Sequence, residues 1–204
     1  MVDDIVLYHS PASRSFIAYW MLVETGQPFR VALTDIRSGA QKQPDYLRVN
    51  PSGKVPTLMD GGVAVSENGA ICAYLADRYA YGRLAPTIDS LDRGDYLKWM
   101  FYAMAVMEPV LMLHQHKLGI RAFQAPWGDY DTMLKVLTDT VGGREFLVGN
   151  KFTAADVLVG AELHFGLFNG WLPKLPALTM YTERLAARPA FKAASVATWG
   201  EEES

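Results

Sequence analysis

The chain has 204 residues, half of them hydrophobic and a fifth charged, with a net charge of −3 and a pI near 5.8. That balance excludes a disordered chain, and without a basic run there is no electrostatic footprint for nucleic acid. The single cysteine, Cys72, excludes a disulfide framework and a Cys-x-x-Cys redox pair within one chain.

The first ten residues carry two acids, Asp3 and Asp4, where a secretory signal needs positive charge. The most apolar helical stretch, 99–113, is interrupted by Glu108 and Pro109, so no membrane span is expected. The expected location is reducing and cytoplasmic. The length allows one large domain or two compact ones.

In chain order, 5–8 form a short apolar run that reads as a buried strand. A polar break follows at His9 to Ser13. Residues 14–25 then place Ile17, Ala18, Met21 and Leu22 at helical spacing, closed by Gly26. Residues 29–34 read as a second strand, giving a βαβ unit. A polar loop spans 35–51, with a short helix expected at 44–49. Strands at 54–60 and 63–66 flank Asp60-Gly61-Gly62 as a hairpin. Residues 67–81 read as a helix. The order β-α-β-loop-β-β-α is that of a thioredoxin-like domain with a mixed four-stranded sheet.

From residue 90 the period changes to helical throughout, over 91–119, 130–141, 154–168 and 175–187. The fold class expected is therefore α/β plus all-α. Residues 1–82 form the first domain, 83–90 the linker and 91–204 an all-helical domain. The acidic end, 199–204, reads as frayed.

Three strings carry chemistry: Leu7-Tyr8-His9-Ser10-Pro11-Ala12-Ser13-Arg14 after the first strand, Asn50-Pro51-Ser52-Gly53-Lys54-Val55-Pro56-Thr57-Leu58, and Ser66-Glu67-Asn68-Gly69-Ala70-Ile71 entering a helix. A fourth, Phe152-Thr153-Ala154-Ala155-Asp156, has the form of a helix start, with Thr153 and Asp156 spaced as a capping box. In this order and spacing they resemble the soluble glutathione S-transferases, in a bacterial-like, serine-type class.

The resemblance implies a glutathione site in the first domain and a hydrophobic pocket in the second. It implies glutathione as co-substrate, no metal, a small hydrophobic electrophile, a homodimer and a role in detoxification. A free thiol titrates near ~8.5, so it is mostly protonated at neutral pH. A hydroxyl that hydrogen-bonds to the sulfur favours the thiolate. Ser10 matches the serine-class donor, Ser13 is its rival, and Tyr8 is a third candidate within the apolar strand. Arg14 adds positive potential or simply caps its helix.

By the same resemblance, Val55-Pro56 is cis and offers the Val55 backbone to an extended peptide. Lys54 meets the glycyl carboxylate as a point charge. Glu67 suits the γ-glutamyl ammonium, and the following helix N-terminus suits its carboxylate. Asn68 stands where the family commonly has serine. Each of these also has a plainer reading, as loop, cap or solvated surface.

Tyr102, Met107 and His114 are candidates to line the hydrophobic pocket. His114 and His116, two apart on a helix, do not face one another as metal ligands would. Cys72 reads as a small buried apolar group. Peroxidase, disulfide reductase, isomerase or dehalogenase chemistry could run on the same site. A non-catalytic adaptor or ligand carrier is the competing class.

Overall fold

The computed structural model describes residues 5–121 and 124–200. The chain divides into two compact units, Met1–Ala80 with Arg188–Ser204, and Tyr81–Ala187. The first is built on β1 (Val6–His9), α1 (Ser15–Thr25), β2 (Arg30–Leu33), α2 (Pro44–Val49), β3 (Thr57–Asp60), β4 (Val63–Ser66) and α3 (Asn68–Tyr79). Its sheet runs β2-β1-β3-β4, with β1 parallel to β2 and antiparallel to β3. This is the thioredoxin-like, mixed four-stranded arrangement read from the element order.

Helix α1 is apolar almost all round, and Phe16, Ile17, Ala18, Trp20, Met21 and Leu22 are fully buried. Such a helix must be covered on more than one face. The sheet and α3 cover part of it. The rest is covered by α9 (Pro189–Trp199), an element the periodicity reading did not anticipate. Phe191 stacks edge-on against Phe16 and Trp20, and the Trp199 ring lies 4.6 Å from that of Phe16. Arg188 forks onto both Glu24 oxygens at 2.7 and 2.8 Å. The Trp20 indole N–H donates to the same carboxylate.

Two expectations for the C-terminal end change as a result. Residues 188–200 belong to the compact unit built on the sheet, although they were expected with the helical domain. Trp199 is helical and packed, not frayed; residues 201–204 lie outside the described residues.

The second unit contains α4 (Asp92–Tyr102), α5 (Glu108–Gln115), α6 (Tyr130–Val141), α7 (Ala154–Phe168) and α8 (Pro176–Ala186). Helices α4 and α5 are continuous through a wider π turn, Ala103–Met107. There the Glu108 N–H reaches back five residues to the Ala103 carbonyl. Pro109 explains the irregularity, since it has no N–H for the carbonyl four residues before it. Helix α7 is buried over most of its length and forms the centre of the unit.

The start of α7 is pinned by a buried carboxylate. Asp156 accepts from the Thr153 N–H at 2.8 Å, the Leu147 N–H at 2.9 Å and the Tyr181 hydroxyl at 2.6 Å. Thr153 in turn caps the first turn, completing the capping box. Burial pushes the Asp156 carboxyl above its ordinary range, against donors that pull it down. No helix among the described residues is long and apolar enough to cross a membrane.

Candidate functional site

The strand register brings the three motif strings to one end of the sheet. Tyr8, Thr57 and Ser66 form a row across β1, β3 and β4. Because β3 runs against its neighbours, the next residues beyond that row are His9 and Ser10, Pro56 and Val55, and Glu67 and Asn68. Segments far apart in sequence thus meet above three adjacent strand ends.

The middle segment is held by a small polar cluster. The Val55-Pro56 bond is cis, and strand pairing begins only at Thr57. The Lys54 carbonyl accepts from the Tyr46 hydroxyl at 2.5 Å and from the Asn50 amide at 2.9 Å. Both groups also meet Thr57 Oγ1, at 2.9 and 3.0 Å. Burial pushes the Tyr46 hydroxyl up, so it stays neutral and able to donate. The Lys54 side chain is exposed.

Lys42 is a cation that the sequence reading missed. Its Nζ donates to the Ser52 carbonyl at 3.2 Å, and a Cβ placed on Gly53 would lie 2.7 Å from it. Gly53, at φ 58, keeps that approach open. A lysine in a loop eleven residues before Gly53 gives no pattern to read, because only the folded loop brings them together.

The third segment carries backbone strain. Glu67 sits at φ 69 and ψ 124, unusual for a residue with a side chain. Strain of this kind typically costs about 1–3 kcal/mol and concentrates at functional sites. Helix α3 then begins with no side-chain cap and no acid in its first turn, the form of helix start that suits an anion.

Asn68, included among the glutathione-binding residues that the resemblance implies, makes a contact within the protein. Its side-chain amide donates to the Arg14 carbonyl at 3.1 Å. It therefore ties the third segment to the first. At the far end of α3, Tyr74 and Tyr79 donate to Asp60 at 2.8 and 2.6 Å, and Arg78 pairs with it. This cluster locks α3 against β3 and fixes where Glu67 stands.

The first segment, 10–14, connects β1 to α1. Ser10 is 3% exposed, while Ser13 and Arg14 are half-buried. Ala12 stands at φ 51, and its N–H donates to the Thr198 carbonyl of α9 at 3.0 Å. Ser13 Oγ donates to the Ser10 carbonyl at 2.7 Å and lies 2.7 Å from Ser15 Oγ. Tyr8 packs edge-on against the Tyr46 ring at 5.4 Å, a packing role within the strand.

In the helical unit, Tyr102 is half-buried and His114 is exposed, its ring stacked 3.5 Å from that of Tyr130. His114 lines a cavity of about 190 Å³ with Val110, Leu113, Trp127 and Tyr130 among its walls. Met107 is fully buried. Its side chain packs the core and presents no surface to a ligand, which corrects the expectation that it lines a pocket. Cys72 is buried, and burial pushes its thiol far above the ordinary range. Among the described residues no group of three or more His, Cys, Asp or Glu side chains could hold a metal ion.

Comparison with known proteins agrees with this architecture. Residues 4–77 match the family model for the glutathione S-transferase N-terminal domain, and residues 129–194 match that for the C-terminal domain. Glutathione S-transferase hmp2 of Hypomyces subiculosus is 29% identical over 202 residues, covering 90% of this chain and 94% of the relative. The disulfide-bond oxidoreductase YfcG of Escherichia coli is 26% identical, covering 93% of this chain and 92% of its own. Among solved structures, a sphingomonad glutathione S-transferase complexed with glutathione is 31% identical with a TM-score of 0.76, covering 95% of this chain and 98% of that one. Both domain models match in order, and the 31% identical sphingomonad enzyme is matched over nearly its whole length: the chain belongs to the glutathione S-transferase family.

Proposed function

We propose that this protein is a glutathione transferase that binds glutathione on its first unit and directs the thiolate onto a small hydrophobic electrophile. The observation that carries the reading is the convergence of Val55, Glu67 and the β1–α1 loop at one end of the sheet. Each end of the tripeptide has a chemically suited group there. The Val55 main chain pairs with the cysteinyl unit as an added strand would. Lys54 and Lys42 meet the glycyl carboxylate. Glu67 takes the γ-glutamyl ammonium, and the uncapped N-terminus of α3 takes the neighbouring carboxylate.

A hydroxyl of the β1–α1 loop, where Ser10 and Ser13 both stand, donates to the sulfur and favours its thiolate form. The sulfur then attacks an electrophilic carbon. A C–S bond forms, and the displaced pair of electrons leaves with the leaving group or takes up a proton. Arg14 adds positive potential on the same loop. The electrophile is assigned to the helical unit, where Tyr102 and His114 carry ring surface open to a ligand. The protein contributes positioning and electrostatics.

The test is a titration of the ultraviolet thiolate absorbance of bound glutathione. The bound thiol should ionise well below ~8.5, the range of a free thiol. Absence of binding would leave the adaptor reading in its place. A second reading is reduction of disulfides, favoured by the kinship with the E. coli oxidoreductase. Cys72 is buried, so both electrons would come from two glutathione molecules, giving glutathione disulfide and two product thiols. Turnover of a mixed disulfide without turnover of a chloronitrobenzene would select that reaction.

We also propose a cytoplasmic homodimer. Its support is the family resemblance together with three large apolar side chains left at the surface, Ile88, Leu91 and Phe101, 81%, 98% and 70% exposed. Light scattering should give twice the chain mass for wild type and the single chain mass for Phe101→Asp. A monomeric wild type would sink this assignment.

A further inference from the structure

The β1–α1 loop holds a hydrogen-bond chain that the reaction as described does not use. It starts at His9, the last residue of β1, whose ring is 1% exposed and packs edge-on against Tyr19. His9 Nδ1 lies 2.8 Å from Ser15 Oγ, and Ser15 Oγ lies 2.7 Å from Ser13 Oγ. Ser15 is fully buried at the first turn of α1, and Ser13 is the half-buried member nearest solvent. Two main-chain donors complete the frame. The Ser10 N–H donates to Ser15 Oγ at 3.1 Å, and the Ser15 N–H donates to Ser13 Oγ at 3.2 Å.

Hydrogen counting shows what the chain can do. The Ser10 carbonyl has two hydroxyls in reach, Ser13 at 2.7 Å and Ser15 at 3.0 Å. Each hydroxyl has one hydrogen to give. If Ser15 donates to His9 Nδ1, the Ser13 hydrogen is left to satisfy the Ser10 carbonyl. If His9 carries hydrogen on Nδ1, it donates to Ser15, and Ser15 donates to the Ser10 carbonyl. Every buried group of the chain except His9 Nε2 is then satisfied, with the Ser13 hydrogen left over, free to point at an incoming sulfur. Ser13 Oγ keeps its main-chain donor in either arrangement.

The fold also separates Ser13 from Ser10. Ser10 lines a cavity of about 320 Å³ with Pro11, Ala12, Leu33, Asp35 and Arg37, on the flank of β1 where β2 ends. The Val55 and Glu67 segments lie on the other flank, beyond β3 and β4. Ser13 is next to Arg14, whose carbonyl receives the Asn68 amide beside Glu67. Its hydroxyl is thus tied to the segment that takes the γ-glutamyl end.

We propose that His9 and Ser15 are positioning residues that set the direction of the Ser13 hydroxyl, and that Ser13, not Ser10, is the catalytic donor to the thiolate. Helix α9 supports the arrangement from behind. The Thr198 carbonyl holds Ala12, and His9 Nε2 is buried without a hydrogen-bond partner. Burial keeps the His9 ring below its ordinary pKa and so neutral near pH 7. A neutral ring is what a positioning role needs, with one nitrogen donating and the other not.

This inference rests on the glutathione reading, and one experiment separates the two. The pKa of the bound glutathione thiol is titrated in wild type, Ser13→Ala, Ser10→Ala, His9→Phe and Ser15→Ala, with thermal melts and glutathione affinities alongside. A wild type without a depressed thiol pKa overturns the glutathione reading itself. With it depressed, Ser13→Ala, His9→Phe and Ser15→Ala should each raise it by about one unit, while Ser10→Ala leaves it low. Turnover should fall about tenfold in His9→Phe with little change in KM for glutathione, the weight of one hydrogen bond to a charged group.

His9→Asn, which puts an amide where Nδ1 stood, and Ser15→Thr, which keeps the hydroxyl, should restore both quantities. They also serve if His9→Phe fails to fold. A folded His9→Phe or Ser15→Ala enzyme with the wild-type thiol pKa overturns the positioning role. Loss of the depression in Ser10→Ala alone overturns the assignment to Ser13.

Discussion

Asp156→Ala should lower the stability of the protein by about 4 kcal/mol, seen as a fall of about 10 °C in the thermal midpoint. The loss has separable parts. Removing the carboxylate opens the capping box of α7, which typically costs about 1 kcal/mol. It also strands the Leu147 N–H and the Tyr181 hydroxyl, both bonded to Asp156 in a buried site. Each stranded donor costs about 1–3 kcal/mol. Asp156→Asn should be nearly as damaging, because an amide nitrogen would face donors where the carboxylate accepts. Thr153→Ala removes only the cap and should cost about 1 kcal/mol. A circular-dichroism melt of the three variants decides the matter. Equal, small losses in all three would mean that Asp156 is a helix cap and nothing more.

Glu67→Gln should weaken glutathione binding about 30-fold, with turnover at saturating glutathione nearly unchanged. Its carboxylate stands beyond β4, at a backbone conformation the chain holds at some cost. It is exposed in the free protein, so its pairing with the γ-glutamyl ammonium strengthens only as the ligand excludes water. Calorimetry with glutathione and with an analogue lacking that ammonium isolates the contact. Wild type and variant should bind the analogue equally. If the variant loses the same factor with both ligands, Glu67 acts on the shape of the loop and not on the ammonium.

Much of this molecule was legible in its sequence, for local reasons. The strands, the helices from α1 to α8 and the Gly61-Gly62 hairpin follow from periodicity, turn residues and caps, all short-range properties. The helix entry at Glu67 also reads locally, whereas the cis Val55-Pro56 bond was expected only from the resemblance its string carries. Thr153 and Asp156 announced their capping box by spacing alone.

What only the tertiary structure decided depends on neighbours distant along the chain. Helix α9 was not anticipated as an element, and its worth lies in covering Phe16 and Trp20, some 170 residues earlier. The tie of the Asn68 amide to the Arg14 carbonyl joins two strings that the sequence shows only apart. Met107 and Tyr102 share one apolar helix, and packing alone made the first core and left the second partly open. The imidazole of His9 and the hydroxyls of Ser13 and Ser15 are visible to any reader of the sequence. Their order as donors and acceptors is set by which backbone groups the sheet, α1 and α9 close around them, and a hydrogen bond's direction is a property of that enclosure.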